Sequence, residues 1–379
     1  MEQPAHKLRG SVTLLVFCVS ALLALGLVML YSAGMSGKGS EFLVRQLAWG
    51  ALGLMACVIM ASLDYAVLRQ AAWPIYLAAV LLLVAVLVLG EPINGARRWL
   101  GYGGFRVQPS EFAKLGLILV LAWYCERNLR QMHTLWRGIL LPAVLIGVVL
   151  GLVFVEPDRG TTILLAGVSA VLLIVAGVRW THLAPPVVLG MGALTFLLVQ
   201  DPMRLRRIMA WLHPEEHREG AGFQAYQGMI ALGSGGLKGL GLGNGRQKLG
   251  FIPEHQTDFI FSVIGEELGL IATLGVVLAF CLIVFSGLRI ALRARDAFGM
   301  LVGCGVTFLI GFQAFINIGV VTSVLPNKGI SLPFISYGGS NLVLMLTSVG
   351  VLLSIARQAV PARGSNLFAP DALPAGQPT

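Results

Sequence analysis

The sequence of 379 residues predicts an all-α polytopic membrane protein of about ten transmembrane helices, with one long extracytoplasmic loop between spans 7 and 8. Three observations predict it. Hydrophobic residues make up 56% of the chain and charged residues only 12%, about half the charge of soluble domains. Apolar runs of about 17 to 25 residues, long enough to cross a bilayer, recur along the chain. Glycine supplies 47 residues, an excess that fits close helix packing in lipid, where small residues let backbones approach. Continuous runs of this length cannot be the short alternating strands of a porin, so the spans are helices.

The first apolar run, Ser11 to about Gly34, follows Lys7 and Arg9. It is too long for a secretory signal, and no Ala-x-Ala site follows it, so it is read as the first span, 12–34. The next spans are expected at 44–62, 71–90, 108–125, 138–155, 161–178 and 182–199. A long loop, 200–257, precedes an overlong eighth run at 259–288, expected to tilt or to project from the membrane. Runs at 298–323 and 340–357 complete a single transmembrane domain, 1–357. The tail 358–379, rich in Pro, Ala and Gly, reads as disordered and cytoplasmic. Cys18, Cys57, Cys125, Cys281 and Cys304 lie in or beside apolar runs without a CxxC pair, which points to packing rather than to disulfides or zinc.

Orientation should follow Lys and Arg in short loops, but these fall almost evenly on the two sides. Two observations favour cytoplasmic termini. Half of the opposite-side charges sit in the single loop 200–257, and long loops translocate largely regardless of charge, whereas the short loops around Arg127–Arg137 and Arg289–Arg295 are strongly basic. The outer surface then carries a surplus of cations, suited either to anionic lipid headgroups or to an anionic, phosphorylated substrate.

An ionised side chain near mid-membrane costs on the order of 2.5 to 3.5 kcal/mol, so each needs a reason. Glu111 and Lys114, three residues apart at the start of the fourth span, are neighbours on one helix face and can pair. Glu266 and Glu267 have no cation within one helical turn and need partners from other spans or from water. Asp258 stands at the outer mouth of the eighth span, about 12 Å of helix rise from Glu266. That exceeds the roughly 5 to 9.5 Å between paired glycosidase carboxylates, which disfavours a two-carboxylate hydrolase built from this helix. Glu254 is a closer companion to Asp258.

Three further clusters lie on the same face. INGARRWLGYGGFRVQPSE, 93–111, sets Arg97, Arg98 and Arg106 among interfacial aromatics, where arginines can clamp a diphosphate through bidentate hydrogen bonds. ALGSGGLKGLGLGNGRQKLG, 231–250, contains no GxxxxGK[ST] and no GxGxxG after a strand, so it reads as a mobile loop with open backbone amides. LPNKGISLPFISYGGSN, 325–341, reads as a non-helical re-entry lining a cavity, with Lys328 near its head and Ser336, Tyr337, Gly338 and Gly339 as candidate substrate contacts.

Taken together, NGARRWL with QPSEFAK, EPDRGTT, YQGMIALGSGGLKGLGLGNGRQK, PEHQTDFIFSVIGEELG and NIGVVTSVLPNKGISLPFISYGGSN resemble the SEDS family, the ten-span membrane proteins that include FtsW and RodA. The resemblance runs through most of the chain. It implies a peptidoglycan glycosyltransferase that polymerises lipid II at the outer face of the cytoplasmic (inner) membrane, with a class B penicillin-binding protein and other divisome or elongasome membrane proteins as partners and no nucleic acid. The family's essential acidic residue falls on Asp258, and Glu111 with Lys114 looks like a polar pair the family uses. Lys328 in LPNKG is more similar to the FtsW, or division, branch. Arg159 departs from the family's usual apolar residue, as does HQTD from the commoner AHTD.

The expected chemistry joins a sugar hydroxyl to an anomeric carbon while a lipid diphosphate departs. It needs a carboxylate to take the hydroxyl proton, for which Asp258 is the candidate, and cations for the diphosphate, for which Arg97, Arg98, Arg106 and Lys328 are candidates. A divalent cation, Mg2+ or Mn2+, would bind Asp258 and be shared with substrate. The rival expectations are a lipid II flippase, since polar residues inside spans also mark translocation paths, and a non-catalytic scaffold activating a partner synthase.

Overall fold

A computed structural model describes the chain except residues 1–2, 34–38, 94–95, 103–104, 214, 217–219, 221, 247–255 and 360–379. Twelve α-helices are present among the described residues: α1 (Gln3–Ala33), α2 (Gly39–Ser62), α3 (Ala66–Leu89), α4 (Pro109–Asn128), α5 (Leu141–Val155), α6 (Arg159–Val175), α7 (Trp180–Val199), α8 (Pro202–Leu212), α9 (Phe223–Gly235), α10 (Ile260–Ala291), α11 (Ala297–Val321) and α12 (Gly339–Arg357). Each expected span falls on one of them. Seven are long and apolar enough to cross a membrane by that measure alone: α1, α2, α3, α5 with the π-helical turn Trp136–Leu140 before it, α10, α11 and α12. The other three are α4, whose first turns carry Glu111 and Lys114, α6, which has 17 residues, and α7.

The bundle is centred on α4, α11 and α12, which are buried along most of their length, while side chains such as Phe17, Leu81, Val88 and Leu189 form an exposed apolar belt that suits lipid. The largest contacts pair α12 with α2, α1 with α10, α3 with α4 and α10 with α11. Small residues set these distances: a side chain on Gly350 of α12 would collide with the Cys57 backbone of α2, and one on Gly287 of α10 with Thr307 of α11. Four of the cysteines, Cys18, Cys57, Cys125 and Cys304, are buried and Cys281 is exposed, and all five are free thiols.

One end of the bundle is tied by charge. Arg69 pairs with Glu126 (3.1 Å) and with Asp296. Tyr65 Oη donates to Asp296 (3.2 Å), Arg295 pairs with Asp64 (3.4 Å), and Asp296 caps α11 by accepting from Gly299 N (2.8 Å). Ser354 Oγ of α12 donates to the Leu63 carbonyl (2.6 Å), joining the last helix to the same end.

The other end differs from expectation in three places. Residues 91–107 form a small antiparallel sheet, β1 (Glu91–Ile93), β2 (Ala96–Tyr102) and β3 (Phe105–Val107), in the order β1-β2-β3, with Pro92 opposite Arg97 and Gly101 opposite Arg106. The eighth run is not one continuous helix: α10 is broken at Gly269, whose φ of 79° and ψ of −174° suit glycine almost alone. The described part of the glycine-rich run, 231–246, is not a free loop. α9 packs along the first limb of α10, and the turn after it docks into the break: Leu240 N and Gly241 N donate to the carbonyls of Glu266 and Glu267 (2.9 Å each), and Leu270 N to that of Gly236 (2.9 Å). A broken helix leaves backbone groups without partners, and this turn supplies them. Lys248 and Glu254 lie outside the described residues, as does most of the tail.

Candidate functional site

Asp258 lies in the turn 256–259 that leads into α10, half-buried, with Asn317 on its backbone and Gly329 beside its carboxylate. Its carbonyl accepts from Asn317 Nδ2 of α11 (2.8 Å), and the same amide group reaches the Ile330 carbonyl (2.6 Å), clamping the turn to the re-entrant segment 325–338. A side chain on Gly329 would strike the Asp258 carboxylate, so this glycine lets the carboxylate rest against the backbone beside Lys328. The re-entrant backbone is held from several sides. Ser336 Oγ accepts from Leu332 N (2.8 Å), Gln46 of α2 reaches the Ser336 carbonyl (3.2 Å), and Tyr337 N donates to the Gln256 carbonyl (3.0 Å), two residues from Asp258. The Tyr337 ring meets Phe42 edge-on at 5.1 Å, and Gly339 lies against the Trp49 indole.

The ion pair expected at Glu111 and Lys114 is present at 2.8 Å and almost wholly buried. It is part of a larger network: Lys114 Nζ donates to Gln313 Oε1 (3.1 Å), Gln313 Nε2 to the Ser331 carbonyl (2.9 Å), and Asn341 Nδ2 to Glu111 Oε2 (3.0 Å). One buried charge pair therefore joins α4, α11, α12 and the re-entrant segment beneath Asp258.

The three arginines of the sheet have different surroundings. Arg98 donates to the carbonyls of Glu156 (2.8 Å) and Pro157 (2.7 Å), so its guanidinium braces the turn between α5 and α6. Arg97 is exposed and reaches the carbonyl end of α3 at 3.4 to 3.5 Å, and Arg106 is exposed with Glu91 at 3.6 Å. The backbone after β3 reaches the centre more directly. Gln108 N donates to Ser340 Oγ (3.1 Å), and Gln108 Nε2 to Asp158 Oδ2 (3.2 Å). Asp158 caps α6 by accepting from Thr161 N (3.1 Å), and Gly160 sits against Ile330.

These contacts bring together the amino ends of α4, α6, α10 and α12. Each carries roughly half a positive charge from its aligned peptide dipoles, which Asp158 at the cap of α6 and Glu111 in the first turn of α4 already answer in part. Beside it, Glu156 is fully buried, with neither carboxylate oxygen hydrogen-bonded. Burial first, then the neighbouring Asp158 charge, pushes its pKa up to about 8 against the pull of Arg98.

Glu266 and Glu267, at the foot of the first limb of α10, answer to backbone amides. Glu266 accepts from Arg246 N (2.8 Å), and Glu267 from Gly243 N (3.0 Å) and Ser32 Oγ of α1 (2.6 Å). Gln108, Gln313, Asn317, Ser340 and Asn341 were not singled out from the sequence. The available signal was amides inside apolar runs, with Gln313 and Asn317 one turn apart.

Residues 12–360 match a family model covering FtsW, RodA and SpoVE, described as cell cycle protein. A curated relative from Geobacter metallireducens, probable peptidoglycan glycosyltransferase FtsW, is 41% identical over 88% of this chain and 92% of its own. Stage V sporulation protein E of Bacillus subtilis is 40% identical over 91% and 96%. Among solved structures, Thermus thermophilus rod shape determining protein RodA aligns with a TM-score of 0.70 at 33% identity, covering 91% of this chain and 96% of that one. A chain from a study of polymerization and crosslinking by a peptidoglycan synthase complex aligns with a TM-score of 0.76 at 33% identity, covering 90% and 96%.

Proposed function

Because the chain belongs to the FtsW, RodA and SpoVE family, we propose that this multi-pass membrane protein is a peptidoglycan glycosyltransferase of the division type, polymerising lipid II into glycan strands. It works beside a partner synthase, read here as a class B penicillin-binding protein, with its termini in the cytoplasm and its mouth at the outer face of the cytoplasmic membrane.

The observation that carries this reading is a half-buried carboxylate, Asp258, set against the backbone beside Lys328 where four helix amino ends meet. In the proposed reaction the acceptor hydroxyl attacks the donor's anomeric carbon, Asp258 takes the hydroxyl proton, and the lipid diphosphate leaves toward positive charge. Lys328, Arg106 and Arg97 are the cations assigned to the diphosphate, and Ser336, Tyr337, Gly338 and Gly339 shape the cavity wall. Arg98 contributes by holding the α5–α6 turn. Among the described residues no three acidic, His or Cys side chains group to hold a metal. Mg2+ or Mn2+ would be held by Asp258 and shared with the substrate, and would supply neutralising charge to the diphosphate.

A flippase needs a polar path that opens to each side in turn. Here the charged groups Lys114, Glu111 and Glu267 are engaged by Gln313, Asn341 and a backbone amide, and an ion-pair cluster of Arg69, Glu126 and Asp296 sits at the far end. The test uses detergent, where no two compartments exist. Purified chain with its partner synthase, given lipid II, is expected to form glycan polymer that Asp258→Asn does not form, whereas a transporter would leave lipid II unpolymerised and a scaffold activating a polymerising partner would give polymer with either chain.

A further inference from the structure

We propose that Glu266 and Glu267 are positioning residues: they clasp the turn 236–246 into the break of α10 and so hold the short limb, 260–268, that presents Asp258. The proposal rests on the reading of Asp258 as the general base.

The limb is nine residues long, and Gly269 cuts it off from the remainder of α10. A helix this short does not hold itself, so its direction is set by what grips it. α9 lies alongside, with Gly228 against Phe259 and Gly235 against Gly265, and Asn317 holds the head. At the foot, the two carboxylates reach from the limb to the turn. Glu267 accepts from Gly243 N and Ser32 Oγ, and Glu266 from Arg246 N, all at 2.6 to 3.0 Å. Hydrogen bonds from amides to a carboxylate are roughly twice as strong as neutral ones, and burial strengthens them further. Gly245 confirms how tight the seat is, since a side chain there would come within 2.9 to 3.0 Å of both carboxylates. The backbone bonds of Leu240 and Gly241 run between the same two segments, while Leu270 ties the turn to the helix beyond the break, so the turn bridges both sides of Gly269.

The experiment uses the full chain with its partner synthase in detergent and lipid II as the probe. Hydrogen exchange through 236–246 is measured beside kcat and KM for Glu266→Ala, Glu267→Ala and Gly245→Ala, the last of which keeps both carboxylates but crowds them. Exchange is expected to speed up by about tenfold or more, and kcat to fall by a similar factor with KM within about twofold, the signature of a misplaced catalytic group. Glu267→Gln, which keeps an acceptor oxygen, is expected to restore most of both. Unchanged exchange in the alanine variants, or faster exchange with wild-type kcat, overturns the proposal. Should the two glutamate-to-alanine variants not fold, Gly245→Ala and Glu267→Gln decide it. Asp258→Asn separates the two readings: it should abolish polymer and leave exchange through 236–246 unaltered. An active Asp258→Asn refutes the base assignment, while the link between exchange and kcat still decides the clasp.

Discussion

Glu156 is a carboxyl group held neutral by its surroundings, and this has a consequence for stability. Its folded-state pKa of about 8 stands above the ordinary 4.5, so between those values the folded chain binds a proton that the unfolded chain releases. The stabilisation is complete below pH 4.5 and is lost as pH rises toward 8. Glu156→Gln, neutral throughout, should therefore melt at a higher temperature than wild type at pH 8, by an amount corresponding to a few kcal/mol, with the gap closing toward pH 5. A gap independent of pH would mean that Glu156 does not titrate in this range. At this scale the sequence was informative where charge stood out from an apolar background, as at Asp258, Glu111 and Lys114. It offered Arg98 as a cation for the diphosphate and gave no sign of its partners here, carbonyls 58 and 59 residues away, because backbone acceptors leave no mark in residue types.

α10 shows why a hydropathy profile misses a break. Residues 259–288 are uniformly apolar around Glu266 and Glu267, so the run reads as one overlong helix. The interruption at Gly269 depends on the turn Gly236–Arg246, which replaces the lost helical hydrogen bonds. Glycine is required there twice over, by its backbone angles and because a side chain would strike Gly239 N and the Leu237 carbonyl. Gly269→Ala should lower stability by about 1–3 kcal/mol from backbone strain alone, read as a lower melting temperature in detergent, and an unchanged one would mean that the limb is continuous with the helix below it. The sheet was missed for a similar reason. Its strands are short, and INGARRWLGYGGFRV reads first as an aromatic and basic interface rather than as alternating strands.

The whole molecule was the most legible level, since ten apolar runs map onto ten helices. Their packing partners were not, because in lipid helices associate through small residues and polar contacts whose matches depend on shape. The resulting body is polarised. One end is bound by Arg69, Glu126, Asp296 and Arg295, and the other gathers helix amino ends, a re-entrant segment and Asp258. The proposed glycosyltransferase rests on the family and on Asp258 at that second end, and its central claim is that Asp258 accepts the acceptor's proton. The most direct measurement is the rate of glycan polymerisation on lipid II by the purified chain with its partner synthase, wild type against Asp258→Asn. The account predicts a fall of about 10^2- to 10^4-fold with lipid II still bound. Polymerisation by Asp258→Asn within about threefold of wild type would contradict it.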